Sequence, residues 1–313
     1  MMTTTPRTAL ITHPVFLQHV MVPGHPECPD RINAIQNLLI EEGIQDLLAH
    51  FEAPEATREQ LLRAHNARLL DDLEHKSPTE GSVAIDPDTW MNPFTLQAAR
   101  HAAGAAILAT DLVIQGRARN AFCLVRPPGH HAEHDKAMGF CFFNNIACAA
   151  LQALSTHRLH KVCVLDFDVH HGNGTEDVFR HNSNVMVCST FQYPLFPYNE
   201  IAYGQPHIVS VPLSEGAKGT DFREVVMDVW APAIEAFEPE MFFISAGFDA
   251  HLLDSMAGLQ LNERDYMWIT ETVMRWAHKY AYGRIVSSLE GGYHLGALAR
   301  SAVDHIRVLA DLA

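Results

Sequence analysis

Hydrophobic positions along the chain fall into two patterns. Short unbroken runs rich in β-branched or aromatic residues occupy Ala121–Val125, Val162–Phe167, Val185–Ser189, Met241–Ser245 and Arg284–Leu289. Runs that do not alternate with polar residues predict strands buried on both faces, the signature of parallel sheets. Between them lie helical stretches, such as the alanine-rich Leu96–Gln115, closed by Gly116, and Glu263–Tyr280. Strands alternating with helices predict an α/β fold whose parallel sheet is covered on both sides.

A polar, glycine-containing cluster follows each strand. AFCLV runs into RPPGHHA, VCVLDF into DVHHGNG, VMVCS into TFQYPLFP, MFFIS into AGFDAH and RIVSSL into EGGY. Open α/β sheets build their sites at the carboxyl ends of the strands, so these clusters should converge on one crevice.

Composition narrows the function. With 48% hydrophobic and 19% charged residues, the 313-residue chain has globular composition. A net charge of −15 disfavours nucleic acid, whose phosphates need a concentrated basic surface, and is compatible with basic ligands. Six scattered cysteines without a CxxC pair read as buried thiols in a reducing cytoplasm. The start MMTTTPRTALITHPVF lacks a signal-peptide core, and no apolar run reaches the roughly 18 residues of a membrane span. A soluble cytoplasmic protein without a membrane partner is the expectation. Without repeats or a Gly/Ser linker, residues 1–313 read as one domain. Homo-oligomerisation is left open.

The chemistry starts at Asp168 and His170, two apart at a strand end, where a period of two puts both side chains on one face. Asp249, after the apolar run MFFISAGF, can deliver a second carboxylate. Two oxygen ligands, one imidazole and an open position suit catalytic Zn2+, and the same set could take Fe2+. An isolated Asp-x-His could simply cap a strand end; the neighbouring clusters favour the metal.

His130 and His131 follow Arg126-Pro-Pro-Gly, a stretch stiffened by two prolines, and suit proton transfer beside a metal. A histidine base needs a partner on its other ring nitrogen, and Asp166 and Asn173 are the candidates. A carboxylate raises imidazole basicity more than an amide does, so the two histidines should differ. Tyr293, at the end of Glu290-Gly-Gly-Tyr, could donate to the oxygen that becomes negative when a carbonyl is attacked.

These residues resemble the histone deacetylase family, within the wider arginase–deacetylase fold. The matching pieces are HPECPDR (25–31), RPPGHHA (126–132), GFCFFNN (139–145), LDFDVHHGNGT (165–175), SAGFDAH (245–251) and LEGGY (289–293). The resemblance implies a mostly parallel sheet of about eight strands flanked by helices. It also implies a zinc-dependent hydrolase acting on acyl-lysine or another acylated amine. Asp168, His170 and Asp249 match the zinc ligands, His131 the general base–acid, His130 its electrostatic partner and Tyr293 the transition-state phenol. Phe140, beside Gly139, and Phe196 match the aromatic walls of the acyl-lysine tunnel. A structural K+ is implied near Asp166, Asp168, His170, Ser189 and Thr190.

Three positions depart from parts of that pattern. Asn173 stands where class I members carry Asp, as in class II and bacterial deacetylase-like enzymes. Phe191 follows Ser189-Thr190 where relatives usually have His, at the expected edge of the inner site. Met256 stands near the place where polyamine-specific members carry a Glu gatekeeper, and an apolar Met cannot meet a cation. Acetylpolyamine hydrolysis is therefore the rival activity, and a catalytically weak acyl-binding protein the rival from another class. Two-metal arginases need further carboxylates where this chain has Gly172 and His251, so a single metal is expected.

Overall fold

The computed structural model describes residues 7–201 and 204–312. Its strands are β1 (Ala9–Thr12), β2 (Ala49–Glu52), β3 (Val83–Ala84), β4 (Trp90–Met91), β5 (Ala121–Cys123), β6 (Val162–Asp166), β7 (Val185–Gln192), β8 (Ile208–Leu213), β9 (Phe242–Ala246) and β10 (Ile285–Leu289). Eight of them form one sheet in the order β2-β1-β5-β10-β9-β6-β7-β8, and every neighbouring pair is parallel. Among the described strands, the two-residue pair β3–β4 alone is antiparallel.

The predicted strands are all present, with ends shifted by up to three residues. All residues of β5, β6, β7, β9 and β10 are buried. Successive side chains point to opposite faces, so continuous burial means that both faces are covered. The outer strands read differently. At one edge, β2 alternates between half-buried and exposed positions; at the other, β8 carries Pro212, which a central strand would not tolerate.

The helix Thr95–Ile114 packs on Asn145–Ser155, while Leu295–Leu309 packs against both Asp30–Glu41 and Glu263–Tyr280. The alanines of Thr95–Ile114 let it sit close to its neighbours, and a Cβ on Gly104 would lie 1.9 Å from the Pro54 carbonyl oxygen. Glu263–Tyr280 has the predicted bounds and opens on a capping box of Asn262 and Asp265. The cysteines are free and five are buried; Cys28 is only partly covered. No described helix is long and apolar enough to cross a membrane.

One local expectation is corrected. β6 ends at Asp166, so Asp168 and His170 lie in the turn beyond it and do not share a pleated face. Two side-chain turns bring them together instead. Asp166 Oδ1 accepts from the Asp168 amide at 3.0 Å, and Asp168 Oδ1 from the His170 amide at 2.9 Å.

Candidate active site

Because the main-sheet strands all run the same way, the loops after β5, β6, β7, β9 and β10 meet at one end of the sheet. Asp168, His170 and Asp249 each present a ligand atom there, all within 4.8 Å of one another. His170 Nδ1 lies 3.0 Å from Asp168 Oδ1 and 3.1 Å from Asp249 Oδ2. The remaining carboxylate oxygens are fixed by backbone: Asp168 Oδ2 accepts from the Gly291 amide at 2.8 Å and Asp249 Oδ1 from the Val169 amide at 2.9 Å.

This cluster fits a cation better than it fits itself. Asp249 Oδ2 is buried without a hydrogen-bond partner, a costly position for an ionised oxygen. Burial and then the Asp168 charge push the Asp249 carboxyl up to about 6. A divalent ion would answer both, and ligand atoms about 2 Å from a shared ion lie roughly 3–4 Å apart. Glycines make room for the carboxylates. A Cβ on Gly247 would lie 2.0 Å from Asp168 Oδ2, and one on Gly291 would lie 2.1 Å from Asp249 Oδ2. A Cβ on Gly172 would meet Asp166 Oδ2 at 2.2 Å, so a second-metal carboxylate has no room there. His251, at the other such position, is buried with Nε2 3.4 Å from Glu263 Oε1.

The histidines stand side by side, ring centroids 4.0 Å apart, with different partners. His130 Nδ1 donates to Asp166 Oδ2 at 2.9 Å, and its Nε2 lies 3.8 Å from Asp168 Oδ1. Burial would lower its pKa, but Asp168 and Asp166 more than offset that and hold it well above the usual histidine value. His131 Nδ1 faces Asn173 Oδ1 at 2.8 Å. The orientation of that amide is set from its far side, where Asn173 Nδ2 donates to Glu133 Oε1 at 2.7 Å. His131 therefore donates through Nδ1 and keeps a free lone pair on Nε2. Burial, then the charges of His130 and His170, push its pKa well below the usual value. The expected inequivalence is present: one imidazole is built to hold a proton, the other to lack one.

A cavity of ≈ 370 Å³ opens onto these groups, lined among others by Gly139, Phe140, Phe196, Met256 and Tyr293. The Phe196 ring meets His131 edge-on at 5.0 Å, and Phe140 meets Tyr293 edge-on at 6.0 Å. Gly139 is positioned by need: its φ is +58°, and a Cβ would lie 2.7 Å from the His131 ring and 2.9 Å from Phe196. The wall also includes His25, Tyr198 and the exposed Asp88, which the sequence reading passed over. Phe191 does not border the cavity. It is buried behind it, packed on His171 at 4.3 Å, which corrects its expected place at the edge of the inner site. Ser189 pairs with Asp166 in the β6–β7 register, and its buried hydroxyl has no hydrogen-bond partner, as a cation ligand would. Thr190 follows it, also buried.

Buried charges that spacing did not single out hold the site together. Glu290 accepts from the Gly129 amide at 2.6 Å, the His130 amide at 3.1 Å and the Ser245 hydroxyl at 3.1 Å, and burial pushes it up to about 7. The HPECPDR segment, given no role from sequence, supplies Glu27 and Arg31. Glu27 receives a two-pronged guanidinium from Arg126 and a bond from Arg31 Nη1 at 3.1 Å. Arg31 also donates to the Gly292 carbonyl at 2.7 Å and to the Glu290 carbonyl, and lies 5.0 Å from the Tyr293 ring. Asp254 accepts from the amides of Tyr293, His294 and Met256 at 2.7, 2.9 and 3.1 Å. The only sequence signal was charge inside glycine- and proline-rich motifs. A Glu and Arg four apart read equally well as an exposed helix pair.

Fold and site define a class: a parallel α/β hydrolase whose carboxylate–imidazole cluster, histidine pair and phenol face one cavity at the carboxyl ends of the strands. The histone deacetylase domain matches residues 25–309. A histone deacetylase-like amidohydrolase of Pseudomonas aeruginosa is 37% identical over 292 residues, covering 90% of this chain and 77% of that one. A probable deacetylase of Archaeoglobus fulgidus is 34% identical over 312 residues, covering 97% and 86%. Among solved structures, the HDA15 HD domain superposes with a TM-score of 0.93 at 33% identity, covering 99% of this chain and 90% of that one. The chain belongs to the histone deacetylase family.

Proposed function

We propose that the chain hydrolyses N-acyl amides, removing acetyl or related acyl groups from lysine side chains of proteins or peptides. The observation that carries this is the division of labour between His130 and His131 beside the Asp168–His170–Asp249 cluster, with Tyr293 on the wall of the same cavity. Zn2+ is the proposed ion, with Fe2+ the alternative for the same donor set. Held by Asp168, His170 and Asp249, it would supply Lewis-acid chemistry, polarising a carbonyl and acidifying water.

The acyl chain lies between Phe140 and Phe196, which exclude water from it. His131 Nε2, neutral at rest, takes the proton from the attacking water as its oxygen bonds to the carbonyl carbon. Asp166 keeps the neighbouring His130 charged, favouring the oxyanion. Tyr293 donates to that oxygen; burial holds its phenol well above the usual tyrosine value, so it stays a donor. The C–N bond then breaks as His131 returns its proton to the leaving amine nitrogen. A K+ near Asp166, Asp168, His170, Ser189 and Thr190 belongs to this reading, supported by the unpartnered Ser189 hydroxyl. A cytoplasmic location is also part of it, supported by the free thiols.

Acetylpolyamine hydrolysis is the second reading, favoured by the exposed Asp88 carboxylate on the cavity wall. A panel of acetyl-lysine peptide, longer acyl-lysine peptides, N-acetylputrescine and acetylspermidine, run on enzyme of defined metal content, separates them. Preferred turnover of the acyl-lysine peptides is expected. Preference for the polyamines would replace the first reading with the second, and metal-loaded protein that hydrolyses nothing would overturn both.

A further inference from the structure

The segment from Pro194 to Glu200 carries Phe196 and Tyr198, two residues of the cavity wall. It is weakly held. Its internal backbone hydrogen bond runs from the Tyr198 amide to the Leu195 carbonyl at 2.9 Å, and Tyr198 has a φ of +59°, a conformation that non-glycine residues seldom take. Among the described residues, one hydrogen bond ties this segment to the rest of the molecule: the Asn199 side-chain amide lies 3.1 Å from His171 Nδ1.

That tie is anchored in depth. His171 is buried, and its Nε2 donates to Glu176 Oε2 at 2.8 Å. The same oxygen accepts from the Ser210 hydroxyl at 3.0 Å. Phe191 closes the other side, its ring packed on the imidazole at 4.3 Å. With an apolar side chain at position 191, His171 has no competing polar partner on that face: Nε2–H serves Glu176, which leaves Nδ1 as an acceptor for the Asn199 side-chain amide. The line of hydrogen bonds therefore runs from β8 and the helix Asn173–Phe179, through the loop that carries metal-cluster residue His170, to the cavity wall.

We infer that Asn199 is a positioning and specificity-determining residue: through His171 and Glu176 it holds Phe196 and Tyr198 in place and so sets which acyl chains the cavity admits. This rests on the reading of the cavity as the acyl site. The physical reason is that a wall with one polar tie can shift when that tie is removed, while the proton-transfer groups stay fixed by bonds of their own.

The test is Asn199→Leu, similar in size and unable to hydrogen-bond, beside Asn199→Gln, which keeps a side-chain amide to donate to His171 Nδ1. Hydrogen–deuterium exchange of the 194–200 peptide should speed up about tenfold in Asn199→Leu and return toward wild type in Asn199→Gln. For an acetyl-lysine peptide, KM should rise about fivefold with kcat within about twofold, as for loss of one hydrogen bond that positions substrate without touching the chemistry. The preference for acetyl over longer acyl chains should fall in the same variant. Unchanged exchange, or faster exchange with KM and acyl preference as in wild type, overturns the proposal. Should wild-type protein hydrolyse no acyl-lysine substrate, the reading under Proposed function fails, and the exchange experiment still decides whether Asn199 holds the wall.

Discussion

The floor of the cavity and its Phe196 wall are built on opposite principles. On the floor, Asp166, Asp168, Asp249 and Glu290 are buried, and each accepts at least one backbone amide or ring N–H from a segment distant in sequence or from its own turn. Among the described residues, the wall segment is half-exposed, and beyond the packing of Leu195 and Phe196 a single side-chain hydrogen bond ties it down. Groups that handle charge must keep their geometry to a fraction of an ångström, so their bonds are redundant. A wall that only brackets an acyl chain needs far less. The difference predicts that chemistry and selectivity in this molecule separate by mutation.

The largest expected break is on the floor. Asp249→Asn removes a charged ligand, and zinc affinity should fall by more than the roughly 10–100-fold typical of losing an outer partner of a metal site. Zinc titration followed by a competing chelator measures it, and wild-type affinity in that variant would remove Asp249 from the metal set. Tyr293→Phe should lower kcat by about a hundred- to a thousandfold, the usual loss for one oxyanion donor. Steady-state kinetics on an acetyl-lysine peptide decide it, and unchanged turnover in folded protein would take the phenol out of the reaction.

A subtler change sharpens the contrast between the two histidines. Asn173→Asp gives His131 a carboxylate partner, as Asp166 already gives His130, and should raise the His131 pKa from its depressed value. The base must be neutral to work, so the acidic limb of the kcat/KM profile should move to higher pH by about one unit. A limb that stays in place would mean that His131 is not the group it reports. The smallest effect belongs to the wall. Met256→Glu should lower KM for acetylspermidine by about fivefold while kcat for acetyl-lysine peptide changes little, since a partly exposed carboxylate contributes on the order of 1 kcal/mol toward a cation.

How much of this was legible along the chain follows from burial and distance. The inner strands β5, β6, β7, β9 and β10 show as continuous apolar runs because both of their faces are covered. The inner strand β1 and the edge strands β2 and β8 were not located: four to six residues each carry too little pattern. Asp168 and His170 were correctly picked as neighbours for the wrong local reason, since side-chain turns beyond the strand bring them together. Glu27, Arg31 and Arg126 show the limit most clearly. Charged residues are mostly exposed, and only the assembled fold buries these three against one another.

The sequence by itself determined which chemical groups stand at the ends of which strands, because strand period, helix stops and the residues following each apolar run are local properties. Tertiary structure alone decided the rest. It set Asp249 Oδ2 within 3.1 Å of His170 Nδ1 and pushed the proton affinities of His130 and His131 in opposite directions. It brought Asn199 within hydrogen-bond distance of His171. Distances between segments far apart in the chain, and the loss of water around a charge, exist only after the chain has packed; proton affinity depends on both.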